Sequence, residues 1–162
     1  MPEHLIRPLD PVTDRDAVTA LLQEAQDYYH LWLGHAPGAD QVEEVFSAAP
    51  PGCDPGTSHR LGLCLDGILS GVAELSFGFP APQDAYLGLM ILAPKARNKG
   101  HGASFTAHIE SLARPAAHLY LAVLEANPKG RAFWEAEGFT PTGISRHDPD
   151  TGHTIHRLVK PL

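Results

Sequence analysis

The chain has 162 residues, 43% of them hydrophobic and 19% charged. This excludes a disordered chain or a coiled coil and leaves room for one domain with its own core. Twelve Lys and Arg against 19 Asp and Glu give a net charge of −7, unsuited to generic binding of nucleic acid or an anionic membrane surface. The 15 glycines and 15 prolines predict many tight turns. No apolar run reaches the ~18 residues of a membrane span, and the first residues lack a basic-then-apolar leader, so a cytoplasmic protein is expected. Cys53 and Cys64 are too few for a disulfide scaffold or a four-cysteine zinc site. No histidine falls in an HExxH pattern, and His153 and His156 point to opposite faces of a predicted strand. No metal is expected.

His4–Leu9 reads as a first strand. Thr13 with Asp16 predicts a helix N-cap, and Ala17, Val18, Leu21, Leu22, Ala25, Tyr28 and Trp32 continue one helical stripe to Gly34. A second helix fits Asp40–Ala48, followed by a Pro- and Gly-rich loop over Pro50–Gly56. The period then changes to two. His59–Leu65 and Ile68–Phe77 flank Asp66-Gly67 and predict a hairpin. Tyr86–Leu92 is nearly all apolar and predicts a central strand buried on both faces, closed by Pro94. A helix over Gly102–Ala113, a strand over Leu119–Leu124 and a helix over Pro128–Glu137 follow. A last hairpin joins Phe139–Arg146 to Thr154–Val159. The order β-α-α-β-β-β-α-β-α-β-β predicts a single α/β domain over 1–162, with helices on both faces of a mixed sheet.

The segment from Leu87 to Phe105 carries the chemistry. A buried strand runs into a basic, glycine-containing loop that opens a helix. Glycines allow several N–H groups to point one way, and the helix start adds free N–H groups and a positive dipole end, a combination suited to pyrophosphate. Neither a Walker loop nor a dinucleotide fingerprint is present, since GxxxxGK[ST] is missing and Phe105 stands where a third glycine would be. The same glycines would also serve a plain turn between strand and helix.

Arg97-x-x-Gly100-x-Gly102 resembles the Q/R-x-x-G-x-G/A motif of the GNAT-type N-acetyltransferases. The likeness continues through Asn127, Ala132-Phe133-Trp134-Glu135 and Gly138-Phe139, and covers Ile68–Phe139. The resemblance implies a GNAT-like fold and acetyl-CoA as acyl donor, with no metal. It implies that backbone groups of Met90, Ile91 and Leu92 hold the pantetheine arm. Arg97, Asn98, Lys99, Gly100, His101, Gly102 and Ala103 would hold the pyrophosphate, and Asn127 would contact the arm from the next strand. The reaction implied is direct attack of an amine on the thioester, with a backbone N–H near Leu92 as oxyanion donor. The acceptor would be a small-molecule or protein amine. Neither nucleic acid nor membrane is an expected partner, and a homodimer is left open.

Glu74, an acid on a strand of small and apolar residues, is the candidate general base. Its other reading is an edge carboxylate facing water, and Tyr120 and His118 are lesser candidates. Where the family often has a proton-donating tyrosine, seven residues after the asparagine, this chain has Trp134, which is no acid. Trp134 is instead expected to pack beside the pantetheine arm. Its presence keeps open a non-catalytic acyl-CoA-binding or sensor domain of the same fold. Tyr28, Tyr29, Trp32 and Phe46 form either a wall of the acceptor pocket or plain core.

Overall fold

The computed structural model describes residues 3–162. Seven strands, β1 (His4–Pro8), β2 (His59–Leu65), β3 (Ile68–Phe77), β4 (Ala85–Leu92), β5 (His118–Leu124), β6 (Thr140–His147) and β7 (Thr154–Pro161), form one sheet in the order β1-β2-β3-β4-β5-β7-β6. Every neighbouring pair is antiparallel except β4 and β5. The helices are α1 (Arg15–Glu24), α2 (Gln26–Leu33), α3 (Ala39–Ser47), α4 (His101–Ala113) and α5 (Pro128–Ala136). Among the described residues no helix is long and apolar enough to cross a membrane.

Strand alternation sends side chains to two cores. Ala73, Leu75 and Leu87 join Phe105 and Ile109 of α4, with Trp134 of α5 packed against them. Val72 and Ile91 join Val18, Leu21 and Leu22 of α1 and Val42 and Val45 of α3 on the opposite face. The β2–β3 hairpin turns through Asp66 and Gly67, both at positive φ, as their sequence predicts.

The structure corrects the sequence reading in three places. The first helix is two, broken at Ala25 with no glycine or proline to mark it, so periodicity alone runs straight through. Thr13 is not its N-cap. Asp10 accepts the N–H groups of Val12 and Thr13, while Asp14 stands before α1 and takes a bidentate bond from Arg7, both N–O distances 2.8 Å. Finally, β4 is not buried throughout: Gly88 is exposed and Leu89, Met90 and Leu92 are half-buried, because its neighbour β5 leaves it.

Candidate active site

The site originates in a failure of pairing. β4 and β5 run together only from Ala85–Leu119 to Leu87–Leu121. Beyond that β5 remains with β7 and β4 with β3, so the strands part. A bulge lies at the point of parting: Leu89 is opposite Glu74 and Leu87 opposite Leu75, leaving Gly88 out of register. Bulges bend a strand and strengthen its twist. The Gly88 backbone lies against the Glu74 carboxylate, and a Cβ at Gly88 would strike Glu74 Oε2, so any larger residue there would displace the carboxylate.

Two hollows meet at this opening, both bordered by Gly88 and Ala122. One is a crevice of about 90 Å³ between the parted strands, with Tyr28, Asn127 and Trp134 on its walls. The other, about 800 Å³, is bordered by Glu74, Tyr86, Phe79, Arg146 and Arg157.

On the crevice side, the Ala93 N–H donates to Ser70 of β3 at 2.8 Å. Main-chain groups alternate in direction along a strand, so those of Leu92 and Met90 face the open edge, while those of Ile91 face β3. The Ile91 side chain is also core. Of the three residues expected on the arm, Met90 and Leu92 have groups free to pair. The Leu92 carbonyl accepts from Arg97 Nε at 3.2 Å, while the Leu92 N–H carries no such bond.

The loop beyond β4 departs from a simple cationic cradle. The Arg97 guanidinium is held by Asp27 of α2, at 2.6 and 3.1 Å, and keeps that carboxyl below its ordinary range. Asn98 (φ 60°) and Gly100 (φ 87°) take left-handed backbone on either side of Lys99, all three exposed, and lead into the unpaired N–H groups that begin α4. His101 is half-buried against His4, with ring centroids 6.1 Å apart, and Ala103 is exposed. Gly102 is buried. A Cβ there would meet the Phe133 ring at 3.0 Å, so its small size serves packing of α4 against α5. Asn127 borders the crevice while its Oδ1 caps α5 by accepting the Gly130 N–H at 3.0 Å. Trp134 packs edge-on against Phe133 and Phe139, with centroids 4.8 and 5.5 Å away.

On the wide side, Glu74 is only 3% exposed, which removes the reading of a water-facing carboxylate. Burial raises its pKa against the lowering effect of donors around it: Ser76 Oγ, the Gly88 N–H and the charge of Arg60. Ser58 Oγ lies 2.7 Å from Ser76 Oγ and extends the chain of hydroxyls. Arg60 is fixed by the Val45 and Ala48 carbonyls at 3.0 and 2.8 Å, which ties the end of α3 to the site. His118 pairs with Asp84 at 3.2 Å at the other end of β5, and neither it nor Tyr120 borders either of these two hollows. Tyr29 is core, with Trp32 and Phe46 packed on it. Of the four aromatic candidates only Tyr28 reaches an opening, and it is the narrow one. Its phenol is the only hydroxyl on the crevice walls, and burial pushes its pKa up. Sequence reasoning missed Gly88, Tyr86, Arg146 and Arg157, none of which stands in a local motif.

A mixed sheet that opens at its one parallel pair, with a loop and helix start beside the opening, is a fold shared with solved acetyltransferases. An acetyltransferase from Thermus thermophilus superimposes with a TM-score of 0.76 at 22% identity, over 98% of this chain and 97% of that one. The ribosomal-protein-S18-alanine N-acetyltransferase from Escherichia coli gives 0.70 at 18%, over 98% and 94%. The acetyl transferase from Salmonella typhimurium that modifies the N-terminal serine of ribosomal protein L7/L12 gives 0.75 at 14%, over 98% and 95%. No curated protein sequence matches the chain. The sequence model of the acetyltransferase (GNAT) family matches residues 19–139, and the chain belongs to that family. Acetyl-CoA is the donor that membership implies, and amines are the family's acceptors.

Proposed function

We propose that residues 1–162 act as one acetyl-CoA-dependent N-acetyltransferase domain that modifies a primary amine by direct attack, without an acyl-enzyme. The observation that carries this reading is the junction at Gly88 and Ala122, where a narrow crevice with free strand edge meets a wide hollow holding a buried carboxylate. The chain fits the donor: Met90 and Leu92 present an unpaired edge to an amide-bearing arm, and the 98–101 turn presents N–H groups to phosphate. Acetyl-CoA supplies an acyl carbon activated as a thioester.

Each remaining role falls to a residue of this chain. Glu74, its pKa raised by burial, takes the proton of the acceptor ammonium so that the free amine forms the new N–C bond. The Leu92 N–H stabilises charge on the carbonyl oxygen as the C–S bond breaks. Tyr28, kept neutral by burial, is the proton donor for the departing sulfur, a role Trp134 cannot fill, and the second proton that the nitrogen sheds as the amide forms restores the phenol. Trp134 supplies an apolar wall for the arm.

Release of CoA thiol across a panel of amines tests the reading. Turnover that depends on both acetyl-CoA and an amine is expected. Stabilisation by acetyl-CoA with no turnover on any amine would instead make the chain an acyl-CoA-binding or sensor domain.

A further inference from the structure

The wide hollow is bordered by two cations that form no ion pair among the described residues. Arg146 of β6 and Arg157 of β7 both border it and stand close across the hairpin, since Arg146 pairs with Ile155, two residues from Arg157. Five other arginines are engaged, Arg7 with Asp14, Arg15 with Glu43, Arg97 with Asp27, Arg131 with Glu135, and Arg60 with backbone carbonyls, while Arg114 stands exposed just past α4, away from either hollow. Among the described residues, Arg146 and Arg157 have no ion-pair partner and their side chains donate no hydrogen bond. Arg157 is moreover half-buried. A partly desolvated guanidinium without an acceptor is costly in a chain where acids outnumber bases 19 to 12.

The surroundings hold Arg157 toward the hollow. Its guanidinium lies 5.2 Å from the centroid of Phe79, which packs edge-on against Tyr86 at 5.1 Å. The nearby acids bind other groups: Glu74 accepts from Ser76 Oγ, and Asp148 accepts from the Asp150 N–H and Thr151 Oγ1, with the Arg146 charge adding to what those bonds do in lowering the Asp148 pKa. Burial raises the pKa of Tyr86, which borders the same hollow, while the charges of Arg157 and Arg146 lower it and that of Glu74 raises it. The hollow thus has a cationic end and an anionic end.

We propose that the acceptor is a small amine that also carries an oxyanion, carboxylate or phosphate, bound by Arg146 and Arg157 while its nitrogen faces Glu74. This rests on the acetyltransferase reading and specifies its substrate class. A hollow of about 800 Å³ suits a small molecule, and its charge separation orients a zwitterion with the nitrogen toward the strand opening.

The test pairs amines that differ in the anion: γ-aminobutyrate against butylamine, 2-aminoethyl phosphate against ethanolamine, and glutamate against its diamide. CoA release is measured with the parent chain and with R146Q/R157Q, and thermal stability with and without acetyl-CoA. The expected result is about a tenfold or greater preference in kcat/KM for the anionic member of at least one pair. The double variant should reduce that preference through KM while acetyl-CoA still raises its Tm. The carboxylate and phosphate pairs tell the two anions apart. Equal or better use of the neutral members overturns the proposal, as does a preference untouched by the double variant. So does a parent chain that acetyl-CoA stabilises but that turns over none of the anionic amines. Failure of acetyl-CoA to stabilise the parent chain would instead overturn the acetyltransferase reading itself.

Discussion

The two hollows that meet at Gly88 are built on opposite principles. The crevice lies between the parted strands and is bounded mostly by their apolar side chains and main-chain groups, with Tyr28, Asn127 and Trp134 reaching in from three other places and no charged side chain on its walls. The wide hollow carries charged side chains instead, Glu74, Arg146 and Arg157. Main-chain edges suit a donor whose shape never varies, whereas charged side chains from separate segments can be tuned to one particular acceptor. The bulge at Gly88 joins the two, because the residue at which the strands part also lies against Glu74.

That division can be broken from either side. The largest effect is expected from Glu74→Gln, which should lower turnover by about 10²–10⁴ without reducing stabilisation by acetyl-CoA. Because burial raises the Glu74 pKa, the acidic limb of kcat/KM in the parent should lie above the ordinary carboxylate value of about 4.3, with activity rising as the proton leaves. That limb should be missing in Glu74→Gln. An unaltered pH profile would remove Glu74 from the chemistry. The stability linkage has the opposite sign: the raised pKa favours the folded state at low pH, and this contribution fades as pH rises through it.

Gly102→Val comes next. Its Cβ meets Phe133 at 3.0 Å, so a loss of about 1–3 kcal/mol in thermal unfolding is expected from overpacking. Normal stability with lost acetyl-CoA binding would return Gly102 to the phosphate site. Arg97→Ala should weaken acetyl-CoA binding by about 1.5–3 kcal/mol in calorimetry if the guanidinium contacts phosphate. Asp27→Asn separates that from a strut: it should cost only about 0.2–1 kcal/mol of stability, since Asp27 is largely exposed, and should spare affinity. Equal losses of affinity in the two variants would mean that Arg97 acts by tying the loop to α2. The smallest change is expected from Trp134→Phe, which should keep most activity in the thiol-release assay, whereas Trp134→Ala should lose affinity with the buried ring.

What was legible in the sequence follows the same division. Strand periods, the Asp66-Gly67 turn and the Pro128 helix start are local signals, and the elements they predict are present. The loop after β4 was legible because its residues are contiguous. Its internal engagements were not: the tie between Arg97 and Asp27 spans 70 residues, and the contact of Gly102 with Phe133 joins two helices. Glu74 stood out as an acid among apolar strand neighbours. Arg146 and Arg157 did not, since a charged residue on a final hairpin is ordinary until the hollow beneath it is known. The break at Ala25 lacked any marker residue, and it is the turn at Ala25 that brings Tyr28 to the crevice while Tyr29 enters the core.

The central claim, that the donor occupies the crevice and leaves the charged hollow to the acceptor, is tested most directly by amide hydrogen exchange with and without acetyl-CoA. Binding should slow exchange at Met90, Leu92 and residues 98–103, and leave 144–146 and 155–157 unchanged. Protection confined to the β6–β7 hairpin, with the β4 edge exchanging as freely as before, would contradict it.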